Sequence, residues 1–123
     1  MASTPPPGTP QPSTPQQRLA VVAAAYNEAN EHRAQDIADA QNDEQYQQIV
    51  DNLRTLEGAF LDTAAEALQA TGAAVESAYQ SARTAADAVQ KAYADGKGIA
   101  DRIRSVAAAA AAVTQLIATA ATL

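Results

Sequence analysis

The placement of proline divides this chain into two unequal parts. All six prolines lie within residues 1–15, and residues 16–123 contain none. Proline fixes the backbone angle φ and has no N–H donor, so a stretch rich in proline cannot form a regular helix or join a sheet. We therefore expect residues 1–14 to be a disordered leader of polyproline type, while the rest of the chain is free to form long helices.

The leader carries little sign of a specific role. A Thr-Pro step recurs at Thr4, Thr9 and Thr14, which a kinase or an aromatic groove could recognise, but the composition favours a solubilising tail. The leader has neither the basic region nor the apolar region of a secretory signal peptide. The default expectation is a cytoplasmic protein, and export by a route that leaves the N-terminus intact stays open.

Capping residues and apolar periodicity predict three long helices. Thr14 followed by Pro15 is typical of an N-cap and a first helical position. Asn42 and Gln45 have the spacing of a capping box, which predicts a second helix start. The string at residues 95–98, Asp-Gly-Lys-Gly, predicts a helix end and a short turn. The predicted helices cover residues 15–41, 43–94 and 99–122.

An apolar heptad runs through the second predicted helix. One seam position is filled by Leu61, Leu68, Val75, Ala82 and Val89. The other seam position is mostly alanine, which allows helices to approach closely. A bend near Gly72 would split this helix into two. The predicted fold is therefore an all-α antiparallel hairpin or bundle of three helices, or four if the split occurs, in one domain over residues 15–123.

The apolar content suggests a thin core and a helical partner. Hydrophobic residues make up 47% of the chain, but most of them are alanine, with one Phe, four Tyr and no Trp. Because an alanine methyl buries little area, a monomer should be marginally stable, and self-association or a partner helix would add burial. The interface candidates on the apolar stripes are Leu61, Leu68, Val75, Tyr79, Val89, Tyr93, Ile103, Val106, Val113 and Ile117.

Charge and cysteine content exclude several classes of function. Residues 1–96 carry 13 acidic and 5 basic side chains, whereas residues 97–123 carry Lys97, Arg102 and Arg104 against Asp101. Phosphate binding needs clustered Lys or Arg, so we expect no nucleic-acid partner. The chain has no cysteine and therefore no disulfide framework.

No residue constellation predicts an enzyme, a metal site or a cofactor. Glu28, His32, Asp36 and Asp39 share one helical face, but one imidazole with exposed carboxylates is an incomplete ligand set, so the pattern favours a solvated acidic face. His32 has no nearby serine to activate, and carboxylates on helix surfaces have no reason for unequal pKa values. The string at residues 95–98 lacks the remaining residues of a phosphate-binding loop.

The last predicted helix supports two hypotheses. Residues 105–123 are uncharged and would span about 28 Å as a helix. Alanine is nearly neutral for membrane insertion, so the favoured hypothesis is a bundle helix in a non-enzymatic interaction or assembly subunit, a homo-oligomer or the partner of another helical protein. The alternative is a membrane-active or tail-anchored protein, such as a pore or toxin component, that inserts residues 105–123 into lipid.

Overall fold

The computed structural model describes residues 12–63 and 68–121, and these residues form helices but no strand. The all-α prediction is confirmed. The described residues contain five helices rather than three or four. They are α1 (Pro15–Glu31), α2 (Arg33–Asp39), α3 (Asp43–Asp62), α4 (Ala73–Ala94) and α5 (Ile99–Ala121).

Both predicted helix starts are confirmed by their caps. The Thr14 hydroxyl accepts a hydrogen bond from the Gln17 N–H at 3.1 Å, and the Gln17 side chain accepts one from the Thr14 N–H at 2.9 Å. The Asn42 side chain accepts from the Gln45 N–H at 2.8 Å. These bonds satisfy N–H groups that a helix start leaves without an internal partner.

The prediction of one continuous helix over residues 15–41 is wrong, because the helix breaks at His32. The Nδ1 atom of His32 lies 2.9 Å from the Glu28 carbonyl oxygen. A carbonyl only accepts, so Nδ1 carries the proton in this contact and replaces the backbone donor of a regular helix. The His32 N–H instead bonds the Asn30 carbonyl, and α1 ends.

The second predicted helix splits near Gly72, as the four-helix alternative anticipated. Helix α3 ends at Asp62, and α4 begins after Gly72, whose φ of 127° is positive and suits glycine. The predicted heptad therefore does not continue from Leu61 through Leu68, because residue 63 and the described residues 68–72 are not α-helical. Leu61 is 68% exposed, whereas Leu68 is fully buried.

The predicted turn at residues 95–98 is confirmed and has the geometry of a Schellman motif. Gly96 has a φ of 67°, its N–H donates to the Tyr93 carbonyl at 3.2 Å, and the Lys97 N–H donates to the Ala92 carbonyl at 3.0 Å. This turn reverses the chain, so α5 packs antiparallel to α4.

Four helices, α1, α3, α4 and α5, pack side by side around one core. Helices α1 and α5 each contact both α3 and α4, and they also contact each other. Contacts near both ends of α4 show that α1 and α2 run alongside it in the same direction. The fully buried large apolar side chains are Val22, Leu56, Leu68, Val75, Val89, Val113 and Leu116. The other buried hydrophobic residues are eight alanines and six larger side chains, among them Leu53, Tyr79 and Ile103.

Candidate functional site

The predicted interface residues mostly lie inside the single chain. Tyr93 and Ile117 are half-buried and pack against the core, and Leu61 is exposed. The other seven are buried, namely Leu68, Val75, Tyr79, Val89, Ile103, Val106 and Val113. Of these ten residues, a partner that docks on the folded chain could therefore meet only Leu61 and the exposed parts of Tyr93 and Ile117.

Arg18 is the most completely bonded side chain in the described structure. It is fully buried, and each of its five N–H groups has an acceptor. Nη1 donates to the carbonyls of Leu68 at 2.5 Å and of Ala70 at 2.8 Å. Nη2 donates to the Ser13 carbonyl at 2.9 Å and to the Glu76 carboxylate at 3.0 Å, and Nε donates to the Ser13 hydroxyl at 2.8 Å.

This arginine connects three parts of the chain that are distant in sequence. It joins the end of the leader, the segment before α4 and the first turn of α4. Glu76 also accepts from the N–H of Ser13 at 2.9 Å and from its hydroxyl at 2.7 Å. The predicted disordered leader is therefore wrong at Ser13, which is buried and bonded, while residues 1–11 lie outside the described residues.

A second buried arginine lies near the far end of α4. Arg102, from the first turn of α5, donates from Nη2 to Asp39 at 2.6 Å, and its Nη1 lies 3.3 Å from Asp36 Oδ1. Its guanidinium carbon is 5.8 Å from the centre of the Tyr93 ring. The Tyr93 hydroxyl donates to Asp36 Oδ2. Helices α2, α4 and α5 are thus joined by one polar cluster.

His32 completes this cluster by stacking on Tyr93. The ring centres are 3.8 Å apart and the planes differ by 11°. Glu28 lies beside His32, with its Oε1 3.8 Å from Nδ1. The break between α1 and α2 therefore places the imidazole flat against an aromatic ring of α4.

The prediction of a solvated acidic face is wrong for Asp36. This carboxylate is 95% buried, since its relative exposure is 5%. Burial raises the pKa of Asp36 above its ordinary value, although the Tyr93 hydrogen bond and the Arg102 charge act in the opposite direction. Burial and the neighbouring Asp36 also raise the pKa of Tyr93, so its hydroxyl remains a donor.

In the described part of the chain no group of three or more His, Cys, Asp or Glu residues is placed to hold a metal ion.

The pKa of Glu76 is shifted in the opposite direction to that of Asp36. Burial raises the pKa of Glu76, but the hydrogen bonds from Ser13 and Arg18 together outweigh burial and hold the pKa below its usual value. The prediction that no carboxylate differs from another in pKa is therefore wrong, because Asp36 and Glu76 sit in unlike surroundings.

The sequence did contain a signal for the two buried arginines. Arg18 precedes Val22 by four residues and Ala25 by seven, and all three lie on the buried side of α1. Arg102 precedes Val106 by four in the same way on α5. A charged residue in phase with an apolar stripe therefore marked each site, but the sequence offered nothing to identify the acceptors.

The outward side of α5 is the largest uncharged helical surface among the described residues. Its inner side carries nine buried residues, which pack against α1, α3 and α4. From Ser105 to Ala121, its remaining positions carry no charged side chain. The exposed residues of this outward face are Ala108, Ala111, Thr114, Gln115, Ala118 and Ala121.

Shallow grooves flank the N-terminal part of α5. The groove between α4 and α5 has a volume of about 650 Å³ and reaches this face at Ser105 and Ala108; its lining also includes the charged residues Lys91, Asp95, Lys97, Asp101 and Arg104. The groove between α3 and α5 has a volume of about 440 Å³, and Gln48, Arg104 and Ala107 are among its lining residues. Both depressions therefore lie beside the first half of α5.

Comparison with protein-family models, with curated proteins and with solved structures finds no match for this chain. Helix α5 (Ile99–Ala121) is long and apolar enough to cross a membrane by length and composition, and about 39% of its most apolar window is buried inside the protein. Soluble proteins with a buried central helix share these properties.

Replacing Arg18 by methionine should lower the free energy of unfolding by about 3 kcal/mol, because Glu76 and three carbonyls lose their buried cationic donor. Urea denaturation followed by circular dichroism measures this change. Arg83→Met is the matched control, since Arg83 is exposed on α4. A loss no larger in Arg18→Met than in Arg83→Met would contradict the structural role of this cluster.

The two shifted carboxylates should give pH dependences of opposite sign. The pKa of Glu76 is lowered in the folded chain, so its stabilisation is present above the ordinary glutamate pKa and is lost as the pH falls through the folded value. The pKa of Asp36 is raised, so the folded chain binds its proton more tightly and gains stability as the pH falls toward the ordinary aspartate value.

Urea denaturation at a series of pH values from 7 to about 3 tests this expectation. Relative to the wild type, Glu76→Gln should lose less stability on acidification, and Asp36→Asn should lose more. Both amides keep an acceptor oxygen for the hydrogen bonds of the native site. Parallel stability curves for all three proteins would show that neither carboxylate has a shifted pKa.

Proposed function

We propose that this protein is a non-enzymatic assembly subunit that associates with a second copy of itself through the outward face of α5. The observation that supports this function is the absence of charge on that face from Ser105 to Ala121. The exposed face of α3, by contrast, carries charges at Asp43, Asp51 and Arg54. An uncharged helical face loses little hydration when another helix covers it.

The dimensions of the face suit helix packing. Its 17 residues span about 25 Å, which is enough for several turns of contact with another helix. Alanine at most exposed positions of the face allows a second backbone to approach closely. The thin core of the monomer would gain burial from such a contact.

A second copy fits this face better than a charged partner does. Two-fold symmetry brings the same patch of each chain together, and the uncharged faces then meet without the repulsion expected from a net charge of −6 elsewhere. An antiparallel arrangement also places Arg104 of one chain near the C-terminal end of α5 in the other. A cation near a helix C-terminus is stabilised by the helix dipole.

Sedimentation velocity at micromolar concentration tests the proposed self-association. The wild type should sediment as a dimer or a larger species, and Ala111→Glu should sediment as a monomer, because it places a carboxylate in the contact. Ala24→Glu is the matched control, since Ala24 is also an exposed alanine within a helix. A monomeric wild type, or equal effects of the two substitutions, would overturn the proposal.

Membrane insertion of α5 is the second candidate function, and the observation that favours it is the length and hydropathy of this helix. Insertion would require α5 to leave the core, where Val113 and Leu116 are fully buried, and to expose the buried Arg102. Alanine contributes little to insertion, so the free-energy gain in lipid is small. The soluble assembly is therefore the function that we favour.

Flotation with liposomes separates the two candidates with the same variants. We expect the wild type, Ala111→Glu and Ala24→Glu all to remain in the soluble fraction. If α5 inserts, the wild type and Ala24→Glu should float while Ala111→Glu does not, because an acidic residue near the centre of a span costs about 3 kcal/mol. That result would replace the assembly proposal by the membrane one.

A further inference from the structure

One oxygen of Asp36 lacks a hydrogen-bond donor despite its burial. The Tyr93 hydroxyl donates to Oδ2, but Oδ1 has no such donor among the described residues. Arg102 Nη1 lies 3.3 Å from Oδ1 and forms an ion pair with it, without the geometry of a hydrogen bond. A buried carboxylate oxygen without a donor costs free energy, so this atom requires a partner.

Asp36 lines a small, partly open cavity that also reaches α3. The cavity has a volume of about 10 Å³, which is about the smallest volume that holds one water molecule. Its second polar wall residue is Asn52, which is half-buried. The apolar wall residues are Ala29, Ile49, Leu53, Ile103 and Val106.

Asn52 is unusual for its position on α3. It lies beside Ile49 and Leu53, which are buried on the core side of the helix. An amide group can both donate and accept, so it can hold a water molecule that itself donates to a carboxylate. The cavity therefore combines a carboxylate oxygen without a donor, an amide and the size of a single water.

We propose that this cavity is a binding site for one water molecule, which donates to Asp36 Oδ1 and is held by the Asn52 amide. The water extends the polar cluster of α2, α4 and α5 to α3, so all the helices around this end of the core share one hydrogen-bonded network. A monovalent cation of similar size is disfavoured, because the Arg102 guanidinium already lies beside the same oxygen.

The substitution Asn52→Leu gives opposite results for a hydrated and a dry cavity. Leucine has nearly the shape of asparagine but cannot hold a water. If the water is bound, Asn52→Leu should raise the unfolding equilibrium constant about tenfold relative to its control, because the water and Oδ1 lose a partner. If the cavity is dry, the added apolar contact with Ile49 and Ile103 should lower that constant, and this result would overturn the proposal.

The matched control is Asn27→Leu, on the exposed side of α1, which reports the effect of the same exchange on helix propensity alone.

A second measurement does not depend on stability. In the ¹⁵N-labelled wild type, the Asn52 side-chain amide should show a nuclear Overhauser effect to a long-lived water, and Asp36→Asn should weaken it. Absence of this signal in the folded wild type would also overturn the proposal.

Discussion

The small size of alanine is the constraint on which the rest of this structure depends. Burial of a valine or leucine side chain contributes about 1.5–3 kcal/mol, and a single methyl group contributes much less. Among the described residues 21 hydrophobic side chains are buried and eight of them are alanine, while seven large apolar side chains are fully buried. Each alanine lets helices come close together but provides no large side chain to fix how far one helix slides along another.

Directional polar contacts fix the position of each helix along its neighbours. Arg18 ties α1 to the first turn of α4, and Arg102 ties α2 and α5 to each other near the other end of α4. Buried ion pairs add little net stability compared with apolar residues of the same size, but their geometry is specific. We therefore regard the two clusters as the features that select one alignment of helices whose apolar faces are nearly uniform.

The same constraint explains why the surface of α5 is distinctive. Its inner side is already used by the core, including Ile103, Val106 and Val113, which the sequence analysis had assigned to an interface. What remains outside is a ridge of alanine with no charge, which is an unusual surface for an acidic protein. The proposed self-association follows from this outward face rather than from the apolar stripes that the sequence emphasises.

The sequence by itself determined the helical class, the caps at Thr14 and Asn42 and the turn after α4, because these depend on local backbone chemistry. It did not determine the stacking of the His32 ring or the burial of Asp36. Only the tertiary structure decided these, because they depend on Tyr93 and Arg102, which are about 60 to 70 residues away. Periodicity shows which side of a helix is apolar, but contacts between helices decide which polar residue lies inside and which apolar stripe faces the core.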